Sequence, residues 1–123
     1  VDKRFSVVDL LDLAQTTAIV ATEPGHLYAS YELAGPEPLS QTEMAAIIGD
    51  VLGREVTARQ VPLYEMAAAA AAKGLSEDRI AQMRTMNAHY DAHGFLGNPN
   101  VLTYLLNRQP TTFRQYVERL AAQ

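Results

Sequence analysis

The sequence predicts a mostly α-helical chain, with about six helices and two or three short strands. Two capping boxes, Ser40 with Glu43 and Thr112 with Gln115, each open an apolar run at helical spacing. Six consecutive alanines, Ala67 to Ala72, supply the residue of highest helix propensity. The runs that alternate like strands are short and are followed by helix-opening or turn chemistry.

Phe5 to Val8 reads as the first extended run. Asp9 stands where an N-cap belongs, its carboxylate able to accept from the free amides of the next turn. Leu10, Leu13, Ala14, Thr17, Ala18 and Ala21 follow at helical spacing, and Glu23-Pro24-Gly25 ends that helix. Ser30 to Ala34 alternates and carries an aromatic, so it reads as a short strand stopped by Gly35-Pro36-Glu37-Pro38. Met44, Ile47, Ile48, Val51 and Leu52 form the apolar stripe behind Ser40, and Gly53 falls where a left-handed C-cap is wanted.

Glu55 to Val61 alternates and is closed by Pro62, which reads as a strand. Leu63 to Lys73 is the alanine-rich helix. Its side chains have little area to bury, so close packing on a neighbour is expected. Ser76 is placed to cap a long helix reaching about His93, with Ile80, Met83, Asn87 and Tyr90 on one face and Gln82, Met86, His89 and His93 on the next. The loop Gly94 to Pro99 precedes a short helix carrying Val101, Leu102, Leu105 and Leu106. Phe113, Tyr116, Val117 and Leu120 line the last helix.

Composition bounds the function. At 123 residues the chain is one domain or part of one. A net charge of −4 lacks the basic excess of a nucleic-acid binder, and no apolar run approaches the roughly 18 residues of a membrane helix. No nucleic-acid or membrane partner is expected, and a cytoplasmic location is. There is no cysteine, which excludes disulfides, thiolate nucleophiles and Cys-based zinc sites. The first residue is Val1 rather than Met, which fits a processed or trimmed product.

The chemistry-bearing residues divide quickly. His89 and His93 are four apart on one helix and could share a metal, but Tyr90 stands where the zinc-protease motif has its Glu, and no third ligand lies nearby in sequence. A pair of partly exposed or pocket-edge histidines is the favoured reading, with no metal. No serine sits in a G-x-S-x-G elbow, and Ser40 and Ser76 are accounted for as caps. Asp9 and Asp12 lie at a helix N-terminus, where the dipole favours negative charge. None of the six tyrosines is followed by Lys four residues on, and no Gly-rich loop joins a strand to a helix. Phe95, Leu96 and Asn98 occupy a glycine-flanked loop that reads equally as a pocket wall or as an anchor tucked into the core.

Four segments in order resemble one family. They are Val8 to Ala14; Thr22-Glu23-Pro24-Gly25-His26 with Tyr31 to Ser40; Leu52 to Val56 with Val61-Pro62; and Arg108 to Phe113 with Tyr116-Val117. Together they are similar to the C-terminal portion of the NmrA-like atypical short-chain dehydrogenase/reductases, with Leu11 where that family often has Arg. The resemblance implies an α/β parent whose N-terminal Rossmann portion, absent here, binds NAD or NADP. It implies that residues 1–123 are the substrate-binding portion, with no cofactor of their own and no catalytic residue. That portion would dock on its own N-terminal Rossmann part and bind a small-molecule substrate, a carbonyl or quinone-like acceptor of hydride. The resemblance makes His89, Tyr90, His93, Phe95 and Asn98 the pocket residues. Tyr31 to Ala34 would add an edge strand to the absent sheet, and Phe5 to Val8 would pair with Val56 to Val61. A homo-oligomer stays open. Two rivals remain: an NAD(P)-sensing, non-catalytic regulator of the same type, and a self-standing helical interaction domain.

Overall fold

The computed structural model describes residues 2–123. In chain order the elements are β1 (Arg4–Phe5), α1 (Leu10–Thr22), β2 (Leu39–Ser40), α2 (Gln41–Leu52), α3 (Leu63–Ala72), α4 (Glu77–His93), α5 (Asn100–Leu106) and α6 (Phe113–Ala121). The six expected helices are present. The core lies where α5 meets α1 and where α6 meets α2. It is built from Leu102, Leu105 and Leu106 of α5, Met44 and Ala45 of α2, and Val117 of α6. The third pair, α3 with α4, buries only Ala70. Six alanines make a helix easily but leave it little area to hold with.

The helix starts follow the caps. The Leu11 N–H donates to Asp9 Oδ1 at 2.9 Å. Both capping boxes close in both directions, Ser40 with Glu43 and Thr112 with Gln115. Each such cap holds a helix end by about 1 kcal/mol. Gly53 ends α2 with φ 62°, in the left-handed region. Ser76 has the extended backbone of an N-cap, but its hydroxyl makes no cap hydrogen bond.

The strands differ from expectation. Ser30 to Ala34 and Glu55 to Val61 form no strand, and the first strand is Arg4–Phe5 rather than Phe5 to Val8. Its antiparallel partner is Leu39–Ser40, with Arg4 opposite Ser40 and Phe5 opposite Leu39, and not Val56 to Val61. Beside this ladder the Arg4 guanidinium donates to Pro38 O at 2.7 Å and pairs with Glu43 Oε1 at 2.5 Å, contacts that accompany the seating of β1 at the start of α2. Residues after Gly53 instead fold back on α2, where the Arg54 N–H donates to Gly49 O at 3.1 Å. The alternation of Val56 and Ala58 with exposed neighbours is met by packing rather than by a ladder.

α1 has the expected period, and its apolar stripe faces outward. Leu10, Leu13, Ala14, Thr17, Ala18 and Ala21, the whole apolar stripe, are exposed, and Leu10 is 76% exposed. The buried face carries Asp12 and Thr16, at 1% and 2% exposure. Asp12 is the reason. Its Oδ2 accepts from the Thr111 N–H at 2.6 Å, and its Oδ1 accepts from Arg108 at 2.6 Å and from the Thr111 hydroxyl at 3.1 Å. Burial alone would raise this carboxyl. The Thr111 amide, the Arg108 guanidinium and the Thr111 hydroxyl outweigh burial and hold it below its ordinary value. Asp9, at the head of the same helix, faces Arg119 of α6, with Oδ2 to Nη2 at 2.7 Å, a contact of charges rather than an aligned hydrogen bond.

Candidate functional site

The candidate site forms where the end of α4 meets β1. The loop after α4 lies directly on the first strand. The Phe95 N–H donates to Arg4 O at 3.0 Å, and the Ser6 N–H donates to Phe95 O at 2.8 Å, which makes a parallel bridge between Phe5 and Phe95. Gly94 permits this approach. Its φ is 69°, and a Cβ there would stand 2.6 Å from Arg4 O. The Ser6 hydroxyl, buried beneath, accepts from the Gly97 N–H at 3.3 Å. The loop is therefore anchored by backbone. Phe95 itself is 52% exposed and faces outward as a wall rather than inward as a plug.

Three rings gather at this junction. Phe5 and Tyr90 meet edge to face at 5.7 Å between centroids, and Tyr90 and Phe95 at 6.1 Å. Such pairs contribute about 0.5–1.5 kcal/mol each beyond burial, enough to fix the ring positions. Tyr90 also borders a cleft of about 290 Å³ with Lys3, Phe5, Gln41, Asn87 and Asp91. The cleft offers an aromatic floor, an amide, an ammonium and a carboxylate, which suits a small polar planar molecule. Asn87 is oriented by its own helix, its Nδ2 donating to Met83 O at 2.8 Å.

Of the predicted pocket residues, Tyr90 lies on the cleft and Phe95 beside it. His89 and His93 are exposed, their rings 4.7 Å apart, and His89 is 6.3 Å from the Tyr90 ring. Neither histidine borders the cleft. Asn98 acts locally, where its Oδ1 accepts from the Asn100 N–H at 2.9 Å and shapes the entry to α5. Lys3, Phe5, Gln41, Asn87 and Asp91 were not singled out from the sequence as pocket residues. Only Asn87 carried a signal, since it shares a helix face with Tyr90 three residues on.

A larger cleft, of about 1040 Å³, opens elsewhere, between the end of α1, residues Glu23 to His26 and α5. Within it His26 Nδ1 and the Tyr31 hydroxyl share a hydrogen bond of 2.7 Å. Arg108 also borders it, but its guanidinium is committed to Asp12 and to Gln15. The described residues do not fit a dinucleotide. The glycines with positive φ, Gly25, Gly53, Gly74 and Gly94, all follow helices, and none opens a helix behind a strand to cradle a pyrophosphate. Among the described residues no helix is long and apolar enough to cross a membrane.

No protein-family model matches the sequence. Among curated proteins the chain is 26% identical over 119 residues to an NAD(P)H azoreductase of Xenophilus azovorans, and 26% identical over 119 residues to quinone oxidoreductase 2 of Escherichia coli. Each alignment takes in 97% of this chain and 42% of the relative. Among solved structures, an NADPH-dependent quinone oxidoreductase of Escherichia coli superposes with a TM-score of 0.80 at 26% identity, over 98% of this chain and 44% of that one. The triphenylmethane reductase of Citrobacter sp. gives 0.78 at 21% identity, over 99% and 42%, a likeness of fold. The chain thus spans less than half the length of these relatives. The resemblance read from the motifs holds: the match is to the C-terminal part of NAD(P)-binding reductases, and the helical fold with two short strands is what those Rossmann-type proteins carry there.

Proposed function

With kinship to NAD(P)H-dependent reductases as the premise, we propose that residues 1–123 are the substrate-binding portion of an oxidoreductase that reduces a small carbonyl or quinone-like compound. The observation that carries this reading is the alignment of almost the whole chain, at 26% identity, with less than half of an azoreductase and of a quinone oxidoreductase. NAD or NADP would be held by the rest of the protein, since these residues make no dinucleotide site. No chemical step is assigned to a side chain here. This portion binds, orients and screens the substrate. Tyr90, Phe95 and Phe5 supply flat apolar surface, and Asn87 and the Tyr90 hydroxyl supply hydrogen bonds to a carbonyl oxygen, while His89 and His93 lie outside the cleft.

The surface of α1 supports a docking role. Leu10, Leu11 and Leu13 lie bare on a helix whose other face is already committed to Asp12. Beside them runs an apolar groove of about 310 Å³ bordered by Thr16, Thr17, Val20, Ala21, Tyr31 and Leu33. An exposed row of this kind on a soluble protein marks a surface that another body covers. We take that body to be the cofactor-binding portion, with Ser30 to Ala34 at its sheet edge.

The test uses the full-length gene product that carries these residues. NADPH oxidation is followed with a panel of benzoquinones, naphthoquinones, azo dyes and simple aldehydes. The expected result is turnover whose KM rises in Tyr90→Ala and Phe95→Ala, with NADPH affinity unchanged. Tight NADPH binding without turnover on any acceptor would replace the enzyme by a sensor. Unchanged kinetics in both variants would move the substrate away from α4.

A further inference from the structure

We propose that the last turn of α4 is a two-imidazole chelate for a divalent transition ion, Cu2+ foremost, with Ni2+ and Zn2+ as weaker occupants. This rests on the two rings alone and not on the substrate role proposed above. His89 and His93 are one turn apart on α4, so both rings project from the same face. Both are exposed, so an ion reaches them from solvent.

The ring separation falls within the range that a shared metal requires. A metal about 2.1 Å from each coordinating nitrogen, on the line through each ring, sets the two ring centres about 4.6 Å apart at a right angle and about 5.3 Å apart at the tetrahedral angle. The observed separation is 4.7 Å, with the planes inclined by 48°. The separation leaves room for one ion between the two rings. Neutral imidazole suits all three ions, and the general affinity order puts Cu2+ first.

The surroundings fit a cation. α4 ends at His93, so its negative dipole end lies beside the pair. Asp91 is next to them in sequence but borders a separate hollow with Asp2, Lys3 and Gln60. Among the described residues no cluster of three His, Cys, Asp or Glu is placed to hold a metal. Two protein nitrogens therefore hold the ion, and water or an incoming ligand fills the remaining positions. That makes an open, exchangeable site rather than a structural one. An occupied site would tie the two ends of the turn together and stiffen the exit to Gly94, the residue that seats the loop on β1.

The untagged chain is titrated calorimetrically with CuCl2, NiCl2 and ZnCl2 in a buffer that does not bind metals, and the Cu2+ form is examined by electron paramagnetic resonance. The expected result is one Cu2+ bound with hyperfine structure from two imidazole nitrogens, and a higher melting temperature with the ion than without. His89→Ala and His93→Ala should each weaken binding by more than the roughly tenfold that even outer-shell changes cause. His26→Ala, which removes the remaining histidine, should leave it unchanged. Melting of the metal-free variants by circular dichroism separates loss of the site from loss of the fold. Binding that survives in the His89→Ala, His93→Ala double variant, or that needs only one of the two rings, would overturn the proposal.

Discussion

Replacing Asp12 by Asn should cost this chain about 2.5 kcal/mol. The substitution keeps the shape of a side chain that is 1% exposed and removes its charge. One oxygen can still accept from the Thr111 N–H, now as a neutral acceptor of about half the strength. The Thr111 hydroxyl can rotate to meet the new amide. The Arg108 contact at 2.6 Å is lost, because an amide NH2 or a neutral oxygen replaces the carboxylate it paired with. A hydrogen bond to a charged group contributes about 1.5–3 kcal/mol, and the weakened Thr111 bond adds about 0.5–1. Arg108 is 43% exposed and can turn to water, which keeps the total well under the 3–5 kcal/mol of a fully buried broken pair. For a chain of this length the loss corresponds to about 10 °C in Tm. Urea unfolding followed by circular dichroism measures it, and a cycle with Arg108→Gln isolates the pair. The pH dependence has a definite sign. The folded carboxyl lies below its ordinary value of 3.8, so its stabilisation is complete above that value and is lost as pH falls through the folded value. The gap between wild type and Asp12→Asn should therefore close on acidification below about pH 4. A loss within about 0.5 kcal/mol at neutral pH, or a gap that does not narrow in acid, would refute the clamp.

Three further outcomes are expected. Ser40→Ala removes one half of a reciprocal cap and should cost about 1 kcal/mol in urea unfolding, with Thr112→Ala as a comparison of equal size. Gly35→Ala should prevent native folding as judged by near-ultraviolet dichroism and proteolysis, because a Cβ there would stand 1.7 Å from the backbone oxygen of Val7. Leu10→Gln combined with Leu11→Gln should change the stability of the chain by no more than about 0.5 kcal/mol in urea unfolding, yet weaken its binding to the proposed cofactor-binding portion when the two are mixed and sedimented.

Helices were legible in the sequence because their signals are local. Ser40 with Glu43, Thr112 with Gln115, Asp9 and Gly53 each sit within a few residues of the groups they satisfy, and all four are found at work. Strand pairing was not legible, because a two-residue ladder joins segments far apart in the chain and carries too little local pattern to read. Nothing near Arg4 announces that Pro38 and Glu43 will receive it. The facing of α1 was hidden for a different reason. Periodicity reports that a helix has an apolar side, and it is silent on whether that side meets its own chain or another. At the candidate site, Tyr90 and Phe95 could be singled out by position, in the last turn of the long helix and in the loop after it. Phe5 and Lys3 could not, since they arrive from the other end of the chain. Asn98, read as a pocket residue, accepts from the Asn100 N–H in the turn before α5.

Ser6 sets the order of events in folding. Its N–H, carbonyl and hydroxyl engage Phe95, Gly35 and Gly97, and the last contact spans 91 positions along the chain. The Asp12–Thr111 clamp spans 99. Closing loops of that length costs entropy before any contact repays it, so both junctions belong late on the folding path. The capped helices can form as they leave the ribosome. The wall that carries Tyr90 and Phe95 must wait until almost the whole chain is out. Mutations at Ser6 or Gly94 should then accelerate unfolding far more than they slow refolding.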